Sequence, residues 1–127
     1  MKRSLLILGL LLLSCKAQYP VGITMLDVEN FANNTTKNVT LVDVRTPEEY
    51  ADGHIAGAAN IDYFNDDFAK DISTYDKQTP IYIYCRSGKR SAKAATQMDS
   101  LGFRYIINLK GGLMAWEEAN RPIVKDQ

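Results

Sequence analysis

Apolar residues fall along this chain in short blocks, set apart by polar and glycine-bearing stretches, and the blocks are of two alternating kinds. Val39-Thr40-Leu41-Val42-Asp43-Val44, Ala58-Ala59-Asn60-Ile61, Ile81-Tyr82-Ile83-Tyr84 and Arg104-Tyr105-Ile106-Ile107-Asn108-Leu109 are brief runs, most of them rich in β-branched and aromatic side chains, and read as strands. The stretches between them carry helix start and stop signals. Thr24-Met25-Leu26-Asp27 reads as a helix start, with Thr24 as N-cap and Asp27 in the place of a capping-box acid. That helix is expected to reach about Ala32 and stop in Asn33-Asn34-Thr35-Thr36. Pro47 fits the first turn of a short helix to Ala51 that Thr46 can cap. Phe64 to Ile72 predicts another helix, and Ser91 to Leu101 a longer one with Gly102 in the C′ position. Gly53 and Gly57 punctuate a loop around His54. Gly111-Gly112 opens a last helix through Ala119, with Trp116 on its apolar face.

Strands alternating with helices define an α/β chain whose parallel sheet carries helices on both faces. In such sheets, ligands bind beyond the carboxyl ends of the strands. Cys85, the segment Asp43 to Arg45 and the stretch after Leu109 all fall there.

With 127 residues there is room for one domain, and the first residues do not belong to it. Lys2 and Arg3 precede an apolar run from Leu5 to Leu13 that is too short to span a bilayer, and Ser14-Cys15 follows at once. Residues 1–17 therefore read as a secretory signal. Leu12-Leu13-Ser14-Cys15 resembles a bacterial lipobox, in which Cys15 becomes the lipidated first residue of the mature protein; the other reading is cleavage after Ala17. Both place the domain outside the cytoplasm, in the cell envelope or periplasm, and lipidation would tether it to a membrane rather than thread it through one. Without Lys2 and Arg3 the chain keeps 13 basic and 15 acidic side chains, which gives no ground for a nucleic-acid partner. With Cys15 modified or removed, Cys85 is the one free thiol and no internal disulfide can form.

Cys85 ends the apolar run Ile81–Tyr84, and Arg86-Ser87-Gly88-Lys89-Arg90 leads from it into the helix at Ser91. A thiol at the carboxyl end of a parallel strand, facing a helix N-terminus among three cations, lies in a field that favours thiolate, the nucleophilic form of sulfur. Such a loop needs no separate general base, so the chain's single histidine, His54, is assigned a structural place.

Three stretches together resemble the rhodanese family in its single-domain form. Leu41-Val42-Asp43-Val44-Arg45-Thr46-Pro47-Glu48-Glu49-Tyr50, continued through Gly53-His54-Ile55-Ala56-Gly57-Ala58, is similar to its N-terminal signature. Cys85-Arg86-Ser87-Gly88-Lys89-Arg90-Ser91 is similar to its active-site loop, and Leu109-Lys110-Gly111-Gly112 through Trp116 to its C-terminal signature. The resemblance implies a domain over residues 20–124 with a central parallel sheet of about five strands. It also implies a sulfurtransferase in which Cys85 takes sulfane sulfur from thiosulfate, a persulfide or a polysulfide as a cysteine persulfide and passes it to a thiophilic acceptor. No metal and no organic cofactor enters that scheme. Carried onto this chain, the backbone N–H groups of Arg86 to Arg90 would cradle the persulfide as an anion-binding nest. Arg86, Ser87, Gly88, Lys89 and Arg90 would bind the donor, and Gly88 would supply a backbone conformation closed to most residues. Asp43 and Arg45 would brace the loop, with Asp43 or Glu49 pairing to a cation. Tyr63 and Phe64 are candidates for the mouth of the site.

Two other readings compete. Cysteine-dependent phosphatases and arsenate reductases separate Cys from Arg by five residues; here four lie between Cys85 and Arg90, which encloses a smaller cradle. The other is a non-catalytic rhodanese-like binding or persulfide-sensing module; interaction domains of that kind typically lose the loop cysteine, whereas this chain keeps it with three cations.

Overall fold

A computed structural model describes residues 19–36 and 38–125. Cys15 and the rest of the signal segment lie outside the described residues. The elements are β1 (Gly22–Leu26), α1 (Val28–Thr35), β2 (Thr40–Asp43), α2 (Pro47–Asp52), β3 (Ala59–Asn60), α3 (Phe68–Ile72), β4 (Ile81–Tyr84), α4 (Lys89–Ser100), β5 (Tyr105–Leu109) and α5 (Gly112–Glu118). All five strands are parallel, in the order β1-β5-β4-β2-β3. β4 is therefore central, and all four of its residues are buried. A parallel strand covered on both faces reads as a continuous apolar run, as Ile81–Tyr84 does.

Alternation along β4 divides the core into two layers. Ile81, Ile83 and Cys85 join Phe68 and Ile72 of α3 and Ala94, Ala95 and Met98 of α4 on one face. Tyr82 and Tyr84 join Phe31 and Ala32 of α1 and Leu113 and Trp116 of α5 on the other. Each large side chain so buried contributes about 1.5–3 kcal/mol relative to exposure. Small residues at the inward positions of α4, Ser91, Ala94 and Ala95, let that helix lie close over the sheet.

The helix expected from Thr24 is the one element of the wrong type. Thr24 to Leu26 belong to β1, which pairs with β5 from Gly22↔Tyr105 to Leu26↔Leu109. The helix cap is Asp27, whose carboxylate accepts the Asn30 N–H at 2.9 Å. The misreading has a physical cause: in this edge strand Ile23 and Met25 face out while Thr24 and Leu26 are half-buried, which inverts the usual hydrophobic alternation. Other elements differ in their bounds. α3 starts at Phe68 because Asp62 and Asn65 side chains accept the Phe64 and Asp67 N–H groups and hold the preceding chain in turns. α4 begins at Lys89, two residues before the expected start, so Lys89 and Arg90 lie in its first turn rather than in a loop.

Asn108 of β5 is fully buried opposite Ile83, and both atoms of its side-chain amide lack a hydrogen-bond partner. An unsatisfied buried polar group costs about 1–3 kcal/mol. Asn108→Leu, close in shape and free of that cost, is expected to raise stability by about 1 kcal/mol. Thermal and urea unfolding check this; a less stable variant would mean that the amide is satisfied in solution.

Candidate active site

β4 delivers Cys85 to the middle of the sheet's carboxyl edge, where the residue is 1% exposed. The chain then turns through Arg86, Ser87 and Gly88 into α4. Gly88 makes the turn at φ +100°, a conformation L side chains rarely adopt. Its N–H donates to Cys85 Sγ at 3.1 Å. The buried Ser91 hydroxyl lies 3.4 Å from the same sulfur and 3.2 Å from the Gly88 carbonyl, so its single proton can serve either. The twelve-residue helix α4 points its N-terminus at this point and adds positive potential.

A second helix fixes the loop from behind. The Leu113 and Met114 N–H groups in the first turn of α5 donate to the carbonyls of Cys85 and Arg86 at 2.8 and 3.0 Å. This close approach requires Gly112: a Cβ there would lie 2.5 Å from both carbonyl oxygens, at a φ of +60°. With those carbonyls held toward α5, the Gly88 N–H is the backbone amide that reaches the sulfur among the described residues.

Among the cations, Arg90 is already engaged. Its guanidinium makes two parallel bonds to Glu49, at 2.7 and 2.8 Å, and lies over the Phe64 ring at 5.2 Å from its centroid. Glu49 is also the third residue of the α2 capping box with Thr46. The hydrogen bond from Arg90 draws the Glu49 carboxyl down to about 2, and Glu49 in turn holds the Arg90 guanidinium firmly protonated. Arg86, Ser87 and Lys89 are exposed, and neither Arg86 nor Lys89 forms an ion pair among the described residues. Phe64 thus touches the site through Arg90, while Tyr63 packs edge-on against Phe68.

Asp43 and Arg45 form a buried pair at the end of β2, with Nη2 to Oδ2 at 2.7 Å. Burial pulls the Arg45 pKa down, and the bond and charge of Asp43 overcome this, leaving it raised. Arg45 also donates to the Gly53 carbonyl at 2.6 Å, which ties the loop after α2 to the sheet. Tyr84 accepts the Ile55 N–H at 2.9 Å from the same loop, and burial pushes its hydroxyl pKa well up. His54 stacks on Tyr50 at 3.7 Å, with Nδ1 2.8 Å from the Tyr50 carbonyl, and exchanges backbone bonds with Val124. These contacts fix loop structure.

From the sequence, Ser91 closes the loop signature at the helix start and Gly112 opens the last helix, but neither is expected to contact the cysteine or its carbonyls. The signal for Ser91 was present: Ser91, Ala94, Ala95 and Met98 share the inward stripe of α4, and a polar residue opens that stripe beside the cysteine.

An open parallel sheet with one cysteine at its central strand end, set in a glycine turn below a helix N-terminus, defines the α/β class of sulfur- and phosphate-handling loops. Within that class the family is specific. Residues 27–119 match the rhodanese-like domain, and the chain belongs to that family. A sulfurtransferase from Allochromatium vinosum is 38% identical over 89 residues, covering 70% of this chain and 81% of that protein. The thiosulfate sulfurtransferase GlpE of Shewanella oneidensis is 37% identical over 84 residues, 66% of this chain and 81% of its own. The crystal structure of a rhodanese-related protein from Thermoplasma volcanium superposes with a TM-score of 0.72 at 26% identity, covering 81% of this chain and 99% of that one.

Gly112→Ala is expected to destabilise the domain by about 2 kcal/mol or more, because the added methyl meets two carbonyl oxygens in a left-handed conformation. Urea unfolding measures this. The Glu49–Arg90 pair sets an acid dependence. The folded value lies below the ordinary 4.5, so the pair's contribution is complete above that pH and fades as pH falls toward 2. Discounted for its partial exposure, Glu49→Gln is expected to cost about 1 kcal/mol at pH 7, with the gap to the parent closing below about pH 3. Unfolding midpoints across pH would show a constant gap if the pairing were immaterial.

Proposed function

We propose that this protein transfers sulfane sulfur through a persulfide on Cys85. The observation that carries the reading is the environment of Sγ: a buried sulfur with the Gly88 N–H at 3.1 Å, the Ser91 hydroxyl at 3.4 Å and a helix N-terminus beneath it. These groups stabilise negative charge on sulfur without a paired base. Thiolate Cys85 attacks the outer sulfur of a donor such as thiosulfate, the donor's S–S bond breaks, and sulfite leaves with the electron pair. The resulting Cys85 persulfide is then attacked at its outer sulfur by a thiophilic acceptor, which restores the thiolate. Arg86 and Lys89, exposed at the turn and unpaired, meet the anionic donor; Arg90, anchored by Glu49, contributes fixed positive potential. The relatives named as sulfurtransferases support this reading. So does the four-residue Cys–Arg spacing, which disfavours the phosphatase alternative.

The reading extends to location: the domain acts in the cell envelope, held to a membrane by a lipid on Cys15. The lipobox-like Leu12-Leu13-Ser14-Cys15 supports it, and no helix among the described residues is long and apolar enough to cross a membrane. Fractionation of cells expressing the parent and Cys15→Ser tests the anchor; identical partitioning would remove it.

Incubation with thiosulfate is expected to add one sulfur mass to the intact protein. Cyanide should discharge it as thiocyanate, and Cys85→Ser should show neither step while unfolding at a temperature close to the parent's. An adduct in Cys85→Ser, or none in the folded, reduced parent with thiosulfate or polysulfide, would overturn the mechanism.

A further inference from the structure

Six large apolar side chains are exposed among the described residues, and three of them fall together at one edge of the sheet. Val21, Ile23 and Met25 are 64, 44 and 51% exposed, leading into and along β1. Ile23 and Met25, two residues apart in a strand, point to the same face. The register pairs Ile23 with Ile106 of β5, and Ile106 belongs to the core layer under α4. The two side chains therefore stand on the α4 face, at a margin the helix leaves uncovered. β1 is also an edge strand, with no strand on its far side. Edge strands are usually blunted by lysine, proline or an inward charge. Gly22–Leu26 contains none of these. An apolar stripe along such an edge marks a contact surface.

Resting on the lipid anchor at Cys15, we infer that the stripe of Val21, Ile23 and Met25 docks on the phospholipid bilayer that holds the anchor. The length of chain between them carries the argument. Four Cα steps of about 3.8 Å separate Cys15 from Tyr19, so Tyr19 stands within about 15 Å of the lipid-bearing residue whatever path the chain takes. Val21 follows two residues later, and β1 is the first element after the anchor. A surface tethered this closely is presented to the stripe at high effective concentration, against which a free protein partner must compete. Charge at the two ends of β1 suits anionic headgroups. The Arg104 carbonyl accepts the Gly22 N–H, and the Lys110 N–H donates to the Leu26 carbonyl, so β1 is bracketed by these two residues. Both are exposed, and neither forms an ion pair among the described residues. The acid beside Lys110, Asp27, is turned to the Asn30 N–H as the α1 cap. β5 separates β1 from β4, so the Cys85 turn stays off the contact.

The test uses the full chain, expressed with its signal in a lipidating bacterium, purified and placed in vesicles of phosphatidylethanolamine and phosphatidylglycerol. In Cys85→Ser no free thiol remains once Cys15 is lipidated, so one introduced cysteine takes an environment-sensitive fluorophore. Labels at Ile23→Cys and Met25→Cys are expected to shift to the blue and to be quenched by nitroxide-bearing lipid. Two controls are expected to show neither effect: Asn38→Cys, exposed and lining a cleft with Tyr19, and Phe64→Cys, exposed beside Arg90. Adding Val21→Gln and Ile23→Gln should abolish quenching of the Met25→Cys label while flotation with the vesicles persists. A chain that carries no lipid by intact mass and does not float would overturn the anchor and this inference with it. On a lipidated, floating protein, the inference alone is overturned by unquenched labels on β1, by equal quenching of the Asn38→Cys label, or by quenching that survives the two glutamines. A blue shift without quenching, growing with protein concentration, would overturn it in favour of a second copy of the chain.

Discussion

The amides of Leu113 and Met114, bonded to the carbonyls of Cys85 and Arg86, set the geometry on which the site depends. A four-residue turn at the end of a strand has many conformations, and most scatter its N–H groups. Fixing two successive carbonyls toward α5 orients the peptide planes of the turn, and the Gly88 N–H meets the sulfur at 3.1 Å. Gly112 permits the approach by having no Cβ, and Gly88 completes the turn at a positive φ. The geometry of the cysteine turn is thus tied to the docking of a helix more than twenty-five residues further along the chain.

Charge follows the same logic of fixed supports. Two arginines near the site are anchored, Arg90 by Glu49 and Arg45 by Asp43, and each anchor does a second task. Glu49 closes the α2 capping box, and Arg45 holds the Gly53 carbonyl. The positive potential around Cys85 is therefore part of the fold, since moving Arg90 means loosening α2. Arg86 and Lys89 are exposed and form no ion pair among the described residues. This division separates anchored cations, which supply a fixed field, from exposed ones.

The sheet carries one unpaired exception to its economy of polar groups. Asn108 sits on the face that also holds Cys85, with no partner for its amide. Elsewhere around the site, the buried polar side chains Asp43, Arg45, His54 and Ser91 are all bonded.

Local chemistry made much of this protein legible from its residues. The β-branched runs predict β2, β4 and β5 because a parallel strand covered on both faces is largely apolar, and the short run Ala58–Ile61 marks the edge strand β3. Thr46 and Pro47 predict α2 because a cap and a first-turn proline are sequence neighbours of the helix they start. Cys85, Gly88 and the adjacent cations mark the candidate site because cysteine, turn and helix start are contiguous. What tertiary structure alone decided lies between distant segments. β1 is a strand because β5 offers it a hydrogen-bonding edge, and no pattern within Gly22–Leu26 reveals that edge. Glu49 selects Arg90, rather than Arg86 or Lys89, because α2 and the first turn of α4 meet at the sheet's carboxyl edge. Gly112 and Ser91 gain their roles only when α5 and α4 are brought against the cysteine turn. Contacts across such separations depend on how helices dock on the sheet, which the periodicity of a single segment does not encode.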